Sequence, residues 1–184
     1  MAHRGHQHAG ERPMSLRRQN GFTLVELMIT LVILVILASI SYPSFRTAMR
    51  SNRLTTTNNE VIGLLSLARS EAIRNRHGGG VCGSSNGTSC DGEWSKGMLA
   101  WGDADGNGAV SGSESVLRFS KGSSSLAVEA PSPTVITFDS QGRRRASADQ
   151  VVSLVPQGCK AGDPMRTLTV LFSGQVRSTA GTCK

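Results

Sequence analysis

The chain has 184 residues, 20 Lys and Arg against 13 Asp and Glu, 21 Gly, four Cys and only eight aromatic side chains. That length leaves room for one membrane segment and one small soluble domain, and excludes two large ones. The net charge is +7. Arg4, Arg12, Arg17 and Arg18 against Glu11 place +3 of it in residues 1–21, so the body is too mildly basic to establish a nucleic-acid partner.

The first segment, residues 1–21, is basic and has no apolar run of its own. Met14 to Gly21 would by itself form a complete short leader, so translation from Met14 is as consistent with the sequence as translation from Met1.

From Phe22 to Ile40, fifteen of nineteen side chains are apolar and one, Glu26, is charged. This is long enough to span a bilayer. An acid inside such a run costs roughly 2.5–3.5 kcal/mol on insertion scales and calls for a partner. The basic residues ahead of the run predict a cytoplasmic N-terminus and an exported remainder. An ordinary secretory signal ends in a small-residue cleavage site after its apolar region, whereas here Gly21 precedes it.

Gly21-Phe22-Thr23-Leu24-Val25-Glu26, behind a basic leader and ahead of an apolar run ending near Pro43, resembles the type IV prepilin motif. The resemblance implies that prepilin peptidase cuts after Gly21 and that the new terminal Phe22 is N-methylated. It also implies that Glu26, fifth residue of the mature chain, pairs with the terminal amine of a neighbouring subunit, offsetting its desolvation only on assembly.

Beyond Tyr42 the helical pattern becomes amphipathic. Val61, Leu64, Leu65, Ala68 and Ala72 recur at intervals of three and four, with Arg69, Glu71, Arg74 and Arg76 on the other face. The helix is expected to run from Phe22 to about Arg76, roughly 80 Å at about 1.5 Å per residue. Pro43 and Gly63 are its weak points, and His77-Gly78-Gly79-Gly80 stops it.

From Val81 onward the pattern is of short strands: 97–101, 115–119, 126–128, 134–138, 151–155, 167–172 and 176–178. Asp139 to Gly142 reads as a turn, and Ser173-Gly174-Gln175 as a hairpin joining the last two strands. In an exported domain four cysteines favour disulfides over zinc. Of three connectivities the local pairs Cys82 with Cys90 and Cys159 with Cys183 are preferred.

Two clusters stand out. Asp103, Asp105, Asn107, Gly108 and Glu114 fit a twelve-residue calcium loop, but strand-like flanks replace the helices of an EF-hand. A plain Asp/Asn/Gly turn between strands is the preferred reading, so no metal is assigned, and calcium stays the alternative. Arg143, Arg144 and Arg145, with Arg177 nearby, form a cationic cluster: a solvated loop, or a contact to double-stranded DNA through its phosphates. Without an adjacent aromatic for stacking, base-specific reading is not expected.

The layout resembles the GspH/FimT/FimU family of minor pilins and pseudopilins. This implies an α+β fold, a long N-terminal helix packed on an antiparallel β domain. The expected parts are a leader (1–21), a transmembrane segment (22–42), an amphipathic continuation (43–77) and an exported domain (78–184). Relatives of the FimT kind carry a C-terminal Gly-Arg-x-Arg element for DNA uptake, and this chain reads Gly174-Gln175-Val176-Arg177 there. The implied roles are pilus assembly, DNA uptake or type II secretion, in company with other minor pilins, the major pilin and prepilin peptidase at the inner membrane. No cofactor is expected. No Gly-x-Ser-x-Gly, phosphate loop or Cys/His pair points to catalysis.

Overall fold

The computed structural model describes residues 21–184 except 113, 130, 132 and 133. The leader before Gly21 and the choice between Met1 and Met14 lie outside the described residues. Helix α1 runs Leu24–Asn75, and eight strands follow: β1 (Gly78–Gly83), β2 (Gly97–Asp103), β3 (Ser115–Lys121), β4 (Leu126–Glu129), β5 (Val135–Asp139), β6 (Gln150–Pro156), β7 (Pro164–Val170) and β8 (Val176–Thr182). The chain divides at Pro43 into two units, the second beginning at Ser44.

In the first unit the apolar side chains of Phe22 to Ile40 are 52–77% exposed. The helix is thus apolar on every side there, and among the described residues nothing covers it.

In the second unit the strands form two antiparallel four-stranded sheets, ordered β3-β2-β1-β5 and β4-β6-β7-β8. The core lies between them and α1. All five residues of the expected helix stripe, Val61, Leu64, Leu65, Ala68 and Ala72, are at most 1% exposed, joined by Leu54 and Asn58 along the same face. They meet Val81, Met98, Ala100, Ile136 and Phe138 from the first sheet and Val128, Val152, Leu154, Leu168 and Val170 from the second. On the far face of the first sheet a smaller cluster holds Cys82, Leu99 and Trp101, with Val110 and Val135 against it.

β1 is the strand that sequence patterning misses. Gly78-Gly79-Gly80 carries no side chains, so it reads as a helix stop, yet it begins a strand buried throughout. The bare backbone is required on both faces. A Cβ on Gly79 would lie 2.5 Å from the carbonyl oxygen of Ala68, so α1 sits directly on the strand there. A Cβ on Gly80 would collide with the ring of Trp101 across the sheet. The helix itself stops one turn earlier by other means: Arg76 adopts φ 62°, and the Asn75 side chain accepts from the N–H of His77 (2.8 Å) and Gly78 (3.1 Å).

Arg69, on the face expected to be solvated, turns instead onto two loops. Its Nε donates to Gly142 O (2.8 Å) and its Nη2 to Ser173 O (3.3 Å), tying the β5–β6 turn and the β7–β8 hairpin to the helix. Both turns form where expected, with φ 71° at Gly142 and 78° at Gly174. The cysteines form two bridges. Cys82–Cys90 (Cα–Cα 5.7 Å) anchors the β1–β2 loop, and Cys159–Cys183 (6.2 Å) fastens the end of the chain to the β6–β7 loop.

Two glycine substitutions should move stability in opposite directions. Gly79→Ala forces backbone from backbone and is expected to cost about 3 kcal/mol. Gly63→Ala, in the helix with nothing within 4 Å of the new methyl, is expected to stabilise by about 0.5–1 kcal/mol. Thermal unfolding of the two variants beside the parent reads both.

Candidate functional site

At the N-terminal end, Gly21, Phe22 and Thr23 are exposed coil, and α1 begins immediately after them. The Gly21–Phe22 bond therefore lies in exposed, non-helical backbone. Thr23 closes the helix: its hydroxyl accepts from Glu26 N (3.2 Å), while its carbonyl accepts from Leu27 N (3.1 Å). Thr-x-x-Glu is a capping-box spacing, and an acid in the first turn also meets the positive end of the helix dipole. The carboxylate itself is exposed along with its apolar neighbours.

The arginine triplet is not a solvated patch. Arg144 is 1% exposed, its Nη1 donating to Val170 O (3.0 Å), while Nε and Nη2 find no hydrogen-bond partner among the described residues. Burial pushes its pKa below the ordinary guanidinium value, with the charge of Asp149 acting the other way. Arg145 reaches back to the β1 and β2 ends: its Nη2 lies 2.9 Å from Asp103 Oδ2 and donates to His77 O (2.9 Å), and its Nη1 donates to Gly106 O (2.5 Å). Arg143 alone keeps a half-exposed guanidinium, paired with Asp139 at 3.3 Å. Arg177 is exposed on β8, opposite Thr169 of β7. A phosphate backbone could reach Arg143 and Arg177, and not Arg144. No local pattern signals this, because the partners of Arg144 and Arg145 lie 26 to 68 residues away along the chain.

The partner of Arg145, Asp103, is fully buried at the end of β2. It opens the β2–β3 loop, in which Asp105 and Glu114 bring carboxylate oxygens within 4.8 Å of its own. The flanks are strands, as the sequence indicated, and Asn107 lies inside the loop with its side-chain carbonyl accepting from Ala109 N (2.7 Å).

Comparison with known proteins places this geometry in a family. The family described as Type II transport protein GspH matches residues 57–174, well over half of the chain, and the Prokaryotic N-terminal methylation motif matches residues 16–42. Among solved structures, the type IV minor pilin FimU of Pseudomonas aeruginosa is similar in two crystal forms. One is 22% identical with a TM-score of 0.54 over 73% of this chain and 98% of that one. The other is 23% identical with a TM-score of 0.53 over 71% and 100%. The minor pseudopilin EpsH of the Vibrio cholerae Type 2 Secretion System is 16% identical with a TM-score of 0.48 over 69% and 96%. No curated protein sequence gives a significant match. At such identities the FimU structures speak to the fold, which is pilin-like: one long apolar N-terminal helix followed by antiparallel sheets.

The arginines are expected to separate by stability. Arg145→Ala strands the buried Asp103 carboxylate and should cost about 3 kcal/mol, a fall in Tm of roughly 6–12 °C. Arg144→Met removes two unpaired donors along with the charge and should cost less than about 1 kcal/mol. Thermal unfolding followed by tryptophan fluorescence checks the ranking; an unchanged Tm in Arg145→Ala would return the triplet to the surface.

Proposed function

The chain belongs to the GspH family of type II transport proteins and carries the prokaryotic N-terminal methylation motif, and on that premise we propose that it is a minor pilin of the FimU kind, working in pilus assembly. The observation that carries this reading is the N-terminal segment: an exposed Gly21–Phe22 bond in coil, followed at once by a stretch of helix, as far as Ile40, that is apolar on all sides and charged only at Glu26.

In this reading prepilin peptidase cuts after Gly21, and Phe22 becomes the methylated terminus. Residues 22–42 hold the subunit in the inner membrane until it enters the filament or its tip complex, with the β domain in the periplasm. There the exposed apolar helix packs against neighbouring pilins. Glu26 then meets the α-ammonium group of an adjacent subunit, and the pair fixes register because either charge alone would be stranded in an apolar surrounding. The role is assembly rather than turnover.

A second reading, a pseudopilin of type II secretion, draws on the description of the matching family itself. The two differ in what deletion removes: surface pili in the first, exoprotein release in the second. A DNA-binding role gains little support, since Arg144 is buried, Arg145 is held by Asp103 and Arg143 is paired with Asp139, which leaves no cluster of unengaged arginines at the turn.

Glu26→Gln separates the cap from the charge, because glutamine serves a capping box as glutamate does. The variant is expected to insert and be processed normally, yet to fall roughly a hundredfold in sheared filaments, the effect of losing about 3 kcal/mol from a buried pair. Normal incorporation of the variant would reduce Glu26 to a helix cap and remove the pairing mechanism.

A further inference from the structure

We propose that the β2–β3 loop is a calcium site, with Asp103, Asp105, Asn107 and Glu114 as its side-chain ligands. The loop runs twelve residues from Asp103 to Glu114, and its spacing sets oxygen-bearing side chains at the first, third, fifth and twelfth positions with Gly108 at the sixth. Gly108 has φ 78°, the left-handed turn that this position requires.

Spacing alone would be satisfied by a plain turn, and the hydrogen bonds of the loop do not decide between the two. The deciding feature is one atom. Five of the six carboxylate oxygens accept hydrogen bonds: Asp103 Oδ2 from Gly108 N (3.0 Å), both oxygens of Asp105 from Asn107, and both oxygens of Glu114 from Ala104 N and Ser111 N. The sixth, Asp103 Oδ1, is buried and accepts none among the described residues. An ionised oxygen sealed from water with no partner is costly, on the order of several kcal/mol, unless a cation meets it.

The distances suit such a cation. Oxygens on opposite sides of a calcium ion, each at about 2.4 Å, stand about 4.8 Å apart. Asp103, Asp105 and Glu114 already bring one oxygen each within 4.8 Å of the others. Hydrogen bonds do not compete with this, since a carboxylate oxygen has a second lone pair.

Charge points the same way. Three carboxylates set against the guanidinium of Arg145, 2.9 Å from Asp103 Oδ2, leave two negative charges, which one divalent ion neutralises. Arg145 holds Oδ2 and thereby leaves Oδ1 as the free ligand atom. Calcium is the ion the donors fit, because it accepts a flexible all-oxygen shell, whereas magnesium demands a strict octahedron and keeps most of its water.

The site would also do structural work. Val110, within the loop, packs on the cluster of Trp101, Leu99 and Cys82, so an ion ordering the loop would clamp the outer face of the first sheet.

The test is calorimetric titration of calcium into the full-length chain in detergent micelles after chelator treatment, with magnesium as the control ion and Tm as a second readout. One calcium per chain is expected, with a dissociation constant of roughly 0.1–1 mM or tighter and a raised Tm. Magnesium should bind at least about tenfold more weakly. Asp105→Asn, an exposed position whose replacement keeps the shape of the loop, and Glu114→Gln should each weaken calcium roughly tenfold or more while leaving the calcium-free Tm within a few degrees. Absence of binding to the parent chain at about 10 mM calcium would overturn the proposal and leave Arg145 as the sole cation of the loop. Equal calcium effects on the parent and both variants would overturn it as well, by placing the ion elsewhere.

Discussion

The β domain depends on three adjacent residues without side chains. Gly78, Gly79 and Gly80 sit where α1, the Asp103–Arg145 pair and the ring of Trp101 all crowd one strand. A Cβ on Gly78 would meet Asp103 Oδ2 at 2.6 Å, one on Gly79 would meet the backbone of Ala68, and one on Gly80 would enter the indole. The usual cost of glycine in a strand, lost packing and extra unfolded-state entropy, is offset here by what the neighbours gain. α1 lies directly on the strand, so its small residues Ala68 and Ala72 become core residues in their own right.

From this close approach the polar architecture follows. Because the helix backbone is near, Arg69 can reach the carbonyls of Gly142 and Ser173 at once, and each loop it touches has a glycine where Arg69 passes: a Cβ on Gly142 or Gly174 would stand 3.1 or 3.0 Å from Nε, closer than van der Waals contact. The β5–β6 turn, held down in this way, leaves Arg143 outward and directs the two arginines after it, Arg144 and Arg145, onto partners within the domain. Arg144 enters the core beside Val170, and Arg145 crosses to the buried Asp103. A run of three arginines, which composition alone would give to solvent or to a phosphate, becomes one buried side chain, Arg144, one surface tie to a buried carboxylate, Arg145, and one outward-facing member, Arg143.

Much of this was legible in advance, for identifiable reasons. The helix stripe was readable because Val61 to Ala72 repeat with the helical period, and seven of the eight strands were readable because their side chains mark runs between turn residues. β1 was not, since a strand announces itself by alternating side chains and Gly78 to Gly80 have none to alternate. The arginines were misread because a guanidinium can lie on the surface or in the core, and the choice depends on acceptors such as His77 O and Val170 O that only the fold brings near. The disulfide pairs were accessible through locality, each cysteine lying close in sequence to its partner.

The two units place opposite demands on charge. In the β domain, buried charge is matched within the chain: Asp103 has Arg145, and Arg144 has the carbonyl of Val170 with Asp149 in its field. In the first unit the helix leaves Glu26 and every apolar side chain around it exposed, with only a threonine hydroxyl to order the first turn. A domain that buries an apolar core of its own can exist alone. A helix that satisfies nothing but its backbone cannot remain in water, and its stable surroundings are a bilayer or other helices of its own kind. The division falls at Pro43, and further along, from Leu54, the helix begins to bury one face against the strands.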